Sequence, residues 1–339
     1  MEGKRVRLAD VAKMAGVSTA TVSLVLNDHP RISDATKERV LRICKETGYS
    51  MDPVARAFAR KRSGAADSSY LGTLAILEGR EPMERRKQIP PWDYWIQQLD
   101  QACLSAGYKP EHFAVEPDEK KQRALNRVLQ ARGIQGLIVF GHRQEIRQWN
   151  LDWKRFSVVG FASSLHEHFA HNIMCSSYQD MYDAMTRLYD SGYTRPGYFM
   201  TGSRDYWEAG FSMALEHRDQ RQLPKLILNG NLYQDSVREK FLSWFKQCRP
   251  DVIIGNSGEK LLQVFEAAGF HVPEDVGYFC LDIWPAKTNL SGLIQLKDVA
   301  YRTAVDLLHG MLIRHEFGPP VDPFCIQIPS RWNDGKTLR

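Results

Sequence analysis

The sequence predicts a small all-α domain of three helices and a hinge helix, followed by a larger α/β domain of two lobes, each with a doubly wound parallel sheet. Three observations support this fold class. At 339 residues the chain exceeds one ordinary hydrophobic core. Near residue 70 the apolar pattern changes from helical spacing to short strand-like runs that alternate with amphipathic helices. The excess of basic charge is confined to the beginning of the chain.

Residues 1–62 contain 13 Lys and Arg against 7 Asp and Glu, a net charge of +6, whereas the remaining residues have a net charge of −1. This asymmetry favours a nucleic-acid-binding module attached to a nearly neutral domain, although a merely solvated basic surface is the alternative. The sequence has no run of about 18 apolar residues and no apolar N-terminal signal, so we expect a cytoplasmic protein without a membrane partner. The six cysteines are scattered and are expected to be reduced thiols.

The N-terminal segment predicts three short helices. In LADVAKMA (8–15) small apolar residues share one face, and Gly16 provides the turn that follows. Ser18 is a suitable N-cap for a second helix that reaches Leu26. A third helix is predicted over about 33–47.

A further short helix is predicted in MDPVARAFARKRSG (51–64), because Asp52 can cap it and Pro53 fits its first position. Isolated helices of this length are marginal in water, so we expect it to form conditionally. The polar stretch over 63–69 is expected to be a linker.

From residue 70 onward, short apolar runs alternate with amphipathic segments, which favours parallel sheets covered by helices on both faces. The predicted strands are 71–77, 134–141, 156–162, 196–202, 225–230, 251–256, 276–282 and 292–296. The predicted helices are 92–106, 118–131, 178–191, 205–218, 235–247, 259–268 and 298–314. Eight strands exceed a comfortable single sheet, so we expect two lobes with a ligand cleft at the carboxyl ends of the strands.

Three of these helices are expected to end alike, at SAGY (105–108), DSGY (190–193) and AAGF (267–270), where a glycine terminates the helix and an aromatic residue follows. The chain is expected to pass between the lobes more than once. The predicted first lobe comprises about 70–172 and 296–318, and the predicted second lobe about 173–295 and 319–339.

Ala12, Gly16, Val22 and Val25 have the spacing of a helix-turn-helix. Small Ala12 lets the two helices cross, Gly16 makes the turn, and the two valines pack the second helix onto the first. In such a motif the second helix lies in the major groove of DNA, and side chains near its N-terminus meet the base edges.

Three stretches of this segment closely resemble the lactose/galactose-repressor (LacI/GalR) family of bacterial transcription regulators. They are LADVAKMAGVSTATVSLVLN (8–27), ISDATKERVLRICKETGY (32–49) and DPVARAF (52–58). The resemblance implies a helix-turn-helix DNA-binding domain over 1–50, a hinge helix and linker over 51–69, and a periplasmic-binding-protein-like domain for effector binding and dimerisation over 70–339. It also implies that a homodimer binds a palindromic operator in double-stranded DNA, and that a small molecule in the cleft changes this affinity.

The resemblance places Thr19, Ala20 and Leu24 at base-reading positions. Leu24 departs from the family, which commonly has Arg or another polar residue there, so a bidentate reader of guanine is missing. Contacts with thymine methyl groups remain available, and the alternative is that Leu24 only packs against the protein. The residues that match phosphate-contacting or capping positions are Ser18, Thr21, Ser23, Asn27, Arg31 and Ser33.

In the predicted hinge, Phe58 matches a family Leu that wedges between base pairs in the minor groove, and Phe can serve as such a wedge. Arg56 and the basic residues 60–62 are expected to contact phosphates. The alternatives are that Phe58 packs on the effector domain and that the cations form a solvated tether.

Across residues 70–329 the resemblance is weaker but collinear. It implies effector contacts by Trp92, Trp207, Asn256, Asp282 and Gln295, each of which can instead have an ordinary structural role. The main departure is Trp207, where the family typically has an Arg that binds sugar hydroxyls, since an indole offers one donor and a flat face. The expected effector is a sugar or a related metabolite, and the alternative is a purine-like or other planar corepressor.

No cofactor, metal or catalytic site is expected. The histidines of HEHFAH (166–171) have neither cysteines nor paired carboxylates near them in the sequence, which disfavours a metal site. Common nucleotide-binding and hydrolase motifs are also absent from the sequence. The leading hypothesis is a ligand-responsive DNA-binding regulator of the repressor type, and the alternative from another class is an enzyme or solute-binding protein with a basic extension.

Overall fold

The structure, a computed structural model, describes residues 8–26, 32–47, 71–79, 90–140, 149–161, 170–201, 205–217, 223–284 and 288–339. Predictions for the hinge helix over 51–64 and the linker over 63–69 lie outside these residues. Among the described residues, no helix combines the length and the apolar character needed to cross a membrane.

The N-terminal module contains α1 (Leu8–Ala15), α2 (Thr19–Leu26) and α3 (Asp34–Thr47), as the sequence predicts. Gly16 joins the first two helices with a φ of +63°, a left-handed conformation that favours glycine. The three helices share one apolar cluster of buried side chains, which consists of Val11, Ala12, Ala15, Val22, Val25, Val40, Ile43 and Cys44. The predicted helix-turn-helix packing is therefore confirmed.

The larger domain begins with β1 (Gly72–Gly79), α4 (Pro90–Ser105), β2 (Tyr108–Val115), α5 (Glu119–Ala131), β3 (Gly136–Phe140), β4 (Ser157–Phe161) and β5 (His171–Cys175). It continues with α6 (Ser177–Asp190), β6 (Pro196–Thr201), α7 (Asp205–Glu216), β7 (Lys225–Leu228), α8 (Asp235–Cys248), β8 (Val252–Gly255), α9 (Glu259–Ala267) and β9 (Gly277–Cys280). The last elements are β10 (Ser291–Ile294), α10 (Lys297–Arg314), β11 (Cys325–Ile328) and β12 (Arg331–Asn333).

Within the described residues the strands form two six-stranded sheets, β11-β5-β4-β3-β1-β2 and β12-β10-β9-β8-β6-β7. All neighbouring strands in these sheets are parallel except the pair β10 and β12. In each sheet the chain reverses its direction of winding next to the first strand, between β1 and β3 and between β6 and β8. Ligands of doubly wound folds bind at the carboxyl ends of strands beside such a point.

Both faces of each sheet are covered, as expected for parallel sheets. In β1, Leu74 and Ile76 pack into one buried cluster with residues of α4 and α10, whereas Ala75 and Leu77 pack into another cluster on the opposite face. The second sheet likewise lies between two apolar clusters. The predicted two-lobed, doubly wound architecture is confirmed.

Three connections join the lobes, at Ser176, at residues 295–296 and at residues 329–330. The third was predicted near residue 319, and this position is wrong because β11 pairs with β5 in the first sheet. Strand β11 alternates between exposed and half-buried residues, so it lacks the continuous apolar run by which the other strands were found. Residues up to 328 therefore belong to the first lobe.

Gly107, Gly192 and Gly269 end three helices with φ values of +84°, +88° and +79°. These are the glycines of the three Gly-aromatic motifs in the sequence. Only glycine adopts this conformation without strain, so the predicted helix ends are confirmed.

Candidate functional site

The start of α2 is fixed by Ser18. Its hydroxyl oxygen accepts a hydrogen bond from the backbone N–H of Thr21 at 3.0 Å, and the two hydroxyl oxygens lie 2.9 Å apart. The cap satisfies one of the N–H groups that a helix leaves without an internal partner. It sets the position from which the first residues of α2 project.

Helix α2 has one buried side and one exposed side. Val22 and Val25 are 0% and 4% exposed, whereas Thr19 and Ala20 are exposed and Leu24 is 37% exposed. The three residues assigned to base reading thus remain free of the core. Leu24 does not pack into the module, and this disfavours the alternative that it is only a core residue.

The other predicted DNA contacts are only partly described. Ser33 is exposed before α3, with its hydroxyl oxygen 3.0 Å from that of Thr36, and Thr21 is half-buried beside Ser18. The predicted contacts that lie outside the described residues or side chains are Ser23, Asn27, Arg31, Arg56 and Phe58.

A second cluster of polar and aromatic side chains lies between the lobes. Lys297, the first residue of α10 in the first lobe, donates hydrogen bonds at 3.0 Å to both carboxylate oxygens of Asp282, which follows β9 in the second lobe. The side chains of Lys297 and Asp282 are 15% and 13% exposed. The charges of a pair that is largely removed from water attract each other more strongly than those of a surface pair, and removal of one partner leaves the other charge uncompensated.

Aromatic side chains surround this ion pair. The Lys297 ammonium lies 3.2 Å from the centre of the Trp95 indole, a residue of α4. Tyr94, its neighbour in sequence, contacts Trp284 across the lobes with ring centres 5.5 Å apart. The cation–π contact and the ring pair give the interlobe site flat apolar walls around a polar centre.

Tyr301 follows Lys297 by four residues on α10 and packs against Phe161, with ring centres 5.0 Å apart. Burial raises the pKa of the Tyr301 phenol, and nearby negative charge, including that of Asp282 and Glu78, raises it further. The hydroxyl therefore stays neutral, and carboxylates from both lobes lie close enough to influence it.

Glu78 belongs to a charge cluster at the carboxyl end of β1. It is fully buried and lies 2.8 Å from His112 Nδ1, while His112 Nε2 lies 2.8 Å from Asp100. Burial opposes protonation of His112, but hydrogen bonds to Asp100 and Glu78 outweigh it and raise the pKa of the imidazole to about 9. The imidazolium compensates the buried carboxylate.

The effector contacts implied by the resemblance occupy different environments. Asp282 belongs to the interlobe cluster, and Gln295 is half-buried at the second connection between the lobes. Asn256 is held by Thr201: its amide oxygen accepts from the Thr201 N–H at 3.0 Å, and its amide nitrogen donates to the Thr201 carbonyl at 3.1 Å. These bonds tie β6 to β8 at the carboxyl ends of the strands. The side chain of Trp92 lies outside the described residues.

Trp207 differs from the expectation that its indole face is offered to a ligand. It is 3% exposed and packs in the apolar cluster of the second lobe that includes Met200, Phe211 and Leu281. An indole buries a large apolar area and is stabilised by such packing. Among the described residues, the aromatic side chains that meet between the lobes are Tyr94 and Trp284, and Trp95 lies next to them against Lys297.

Sequence reasoning missed Lys297 and Trp95. A signal for Lys297 was present, because it follows the predicted strand 292–296 directly and so lies where a chain leaves the carboxyl edge of a sheet. Trp95 carried a weaker signal, since an aromatic residue in a helix is more often part of the core. Only the three-dimensional structure shows that Lys297 bonds Asp282 and that Trp95 lies against Lys297.

Residues 7–52 match the family model described as "Bacterial regulatory proteins, lacI family". The chain is 25% identical over 288 residues to the HTH-type transcriptional repressor PurR of Pectobacterium carotovorum subsp. carotovorum (strain PC1), covering 81% of this chain and 80% of that protein. It is 26% identical over 252 residues to the sucrose operon repressor of Klebsiella pneumoniae, covering 71% and 70%.

Among solved structures, the chain is similar to the lac repressor dimer bound to operator and the anti-inducer ONPF. The TM-score is 0.61 at 16% identity, and the match covers 99% of this chain and 100% of that one. This likeness concerns the fold, and it extends over the N-terminal module and both lobes. The family model places residues 7–52 in the lacI family of bacterial regulatory proteins, and the curated relatives, which are named transcriptional repressors, are similar to the chain well beyond this segment.

Proposed function

We propose that this lacI-family regulator represses transcription in the cytoplasm by binding a palindromic operator as a homodimer. The observation that carries the proposal is the exposed side of α2, where Thr19, Ala20 and Leu24 project from a capped helix whose other side is buried. The solved lac repressor is a dimer bound to operator, which supports the same arrangement here. In such dimers two recognition helices read half-sites of a palindrome.

The base reading proposed for α2 is limited, because none of its exposed residues is a bidentate hydrogen-bonding side chain. Thr19, Ala20 and Leu24 suit contacts with thymine methyl groups. We therefore assign a larger share of the specificity to the hinge, where Phe58 would wedge into the minor groove and Arg56 would contact phosphate. Phe58→Ala is then expected to weaken specific binding broadly.

The experiment is a selection of DNA sequences from a randomised duplex library by the full-length protein and by two variants. Leu24→Arg places a guanine reader on α2 and is expected to change the preferred base at one position of each half-site. Leu41→Arg adds the same charge at a residue of α3 that is 51% exposed, and should leave the preference unchanged. Equal preferences in all three proteins would contradict base reading by α2.

The proposed effector site is the space between the lobes around Asp282, and the proposed effector is a sugar or a related metabolite. One curated relative is named a sucrose operon repressor, which supports a sugar. The case for a planar corepressor relied on Trp207, whose indole is buried, so this alternative now depends on Trp95 and Trp284. Both curated relatives are named as repressors, which favours a regulator over an enzyme or a solute-binding protein.

A further inference from the structure

Lys297 and Asp282 form a single polar centre that joins the lobes. The ammonium group donates to both carboxylate oxygens at 3.0 Å, so the two charges are matched in geometry as well as in sign. Both side chains are shielded, at 15% and 13% exposure, and the indole of Trp95 covers the ammonium from a third side. The pair is neutral as a whole, and little water is left to compensate either charge alone.

This neutrality constrains what can bind beside the pair. An anionic ligand would attract Lys297 and leave Asp282 without its partner, and a cationic ligand would do the reverse. A shielded charge without a partner is strongly destabilising. A ligand with hydroxyl or amide groups can donate to the carboxylate and accept from the ammonium while the two charges remain together.

The other charged groups described near the Lys297–Asp282 pair do not change the net charge of the interlobe site. Glu78 is fully buried, but it is compensated by His112, which is in turn bonded to Asp100. Tyr301 stays neutral. The described part of the interlobe site therefore offers no charge that an ionic ligand could neutralise without separating an existing pair.

We infer that the Lys297–Asp282 pair selects an effector without net charge, and that Lys297 is a specificity-determining residue of the cleft. The inference rests on the proposed function, in which this cleft binds the effector. Uncharged polyhydroxy or amide-bearing molecules are accepted, and their phosphorylated, carboxylated or aminated counterparts are rejected. Removal of the Asp282 charge favours anionic ligands, and removal of the Lys297 charge favours cationic ligands.

Two single variants test the reversal without knowledge of the effector. Asp282→Asn removes the carboxylate to which the Lys297 ammonium donates, so inorganic phosphate should bind at least tenfold more tightly than to the unmodified protein. Lys297→Met leaves the Asp282 carboxylate beside the Trp95 indole, so tetramethylammonium should bind at least tenfold more tightly. Binding is followed by the rise in melting temperature of the full-length protein and by tryptophan fluorescence, with sodium chloride as the ionic-strength reference.

The same helix provides matched controls. Asp298 and Arg302 of α10 form an exposed ion pair at 3.2 Å, with side-chain exposures of 49% and 60%. Asp298→Asn and Arg302→Met make the same changes of charge in a solvated pair, so neither should alter the affinity for phosphate or tetramethylammonium. Equal responses of the interlobe and control variants would overturn the inference.

A double variant, Lys297→Met with Asp282→Asn, covers the case in which a single variant fails to fold. It leaves neither charge alone, so it is expected to fold and to lose both ion responses, and failure of the double variant to fold would also overturn the inference.

A separate readout distinguishes the inference from the proposed function. If a small molecule shifts operator affinity and native mass spectrometry shows that it carries a net charge, charge selection is wrong while the proposed regulation stands. If the variants gain the expected ion affinities but no small molecule shifts operator affinity, charge selection at the pair stands and the proposed regulation by an effector is wrong.

Discussion

At the scale of single residues, His112 shows how a charged side chain is tolerated inside a parallel sheet. It lies on β2 between Glu78 and Asp100, and its protonated form compensates a carboxylate that is fully buried. No sequence pattern reveals this cluster, because its three residues come from two strands and a helix. Only the register of β1 with β2 and the packing of α4 bring them together.

His112 predicts a dependence of stability on pH. Its pKa in the folded protein is about 9, above the ordinary value near 6.5, so protonation stabilises the fold fully below about pH 6.5 and the effect is lost as the pH rises through 9. His112→Gln should therefore reduce the free energy of unfolding most at low pH, by about 1–3 kcal/mol, and the difference should shrink above pH 9.

The measurement is urea unfolding of the two proteins between pH 6 and pH 10. His271→Gln is the control, because His271 contacts Asp275 on the surface with a side chain that is 80% exposed. A destabilisation by His112→Gln that stays constant over this range would show that Glu78 and Asp100 do not stabilise the protonated form of the imidazole.

Lys297 and Leu24 illustrate the limits of sequence reasoning at this scale. The exposure of Leu24 follows from helical spacing, since residues 22 and 25 face the core and residue 24 cannot. The role of Lys297 does not follow from any periodicity, because its partners Asp282 and Trp95 are distant in sequence and belong to different lobes. Trp207 was misjudged for the same reason: its position on a helix was recognisable, but the side of α7 that packs inward was not.

At the scale of secondary-structure elements, local signals determined most boundaries. Ser18, Asp118 and the glycines at 107, 192 and 269 each mark a helix end by a physical constraint on the backbone. Strands β2, β5, β11 and β12 were not predicted, because charged residues, proline or short length hide their pattern. Each of these strands pairs with a neighbour through a ladder of backbone hydrogen bonds, which does not require an apolar pattern.

The cap at Ser18 predicts a local effect on α2. Ser18→Ala removes the acceptor for the Thr21 N–H and should destabilise the helix by about 1 kcal/mol, whereas Ser18→Asp retains an acceptor and should have a much smaller effect. Hydrogen exchange of the amides of Val22 and Val25 in the free full-length protein measures this difference. Equal protection in the Ala and Asp variants would contradict a capping role.

At the scale of the whole molecule, the chain joins a DNA-reading module to two lobes that the polypeptide crosses three times. The third connection is bonded to α6: Asp180 accepts hydrogen bonds from the N–H and hydroxyl of Ser330 at 3.2 and 2.6 Å. The contacts of Lys297 with Asp282 and of Tyr94 with Trp284 then bridge the lobes. A ligand between the lobes acts on regulation only through its different affinity for two arrangements, typically about 1–3 kcal/mol.

The most direct measurement is equilibrium binding of the full-length protein to a palindromic duplex obtained by selection and to a random duplex of equal length, between 50 and 200 mM salt. Regulation by operator binding predicts two chains per palindrome, a clear preference for it, and an affinity that falls about 10³- to 10⁵-fold over this range if 6–10 phosphates are contacted. Equal affinity for both duplexes at every salt concentration would contradict a role as an operator-binding regulator.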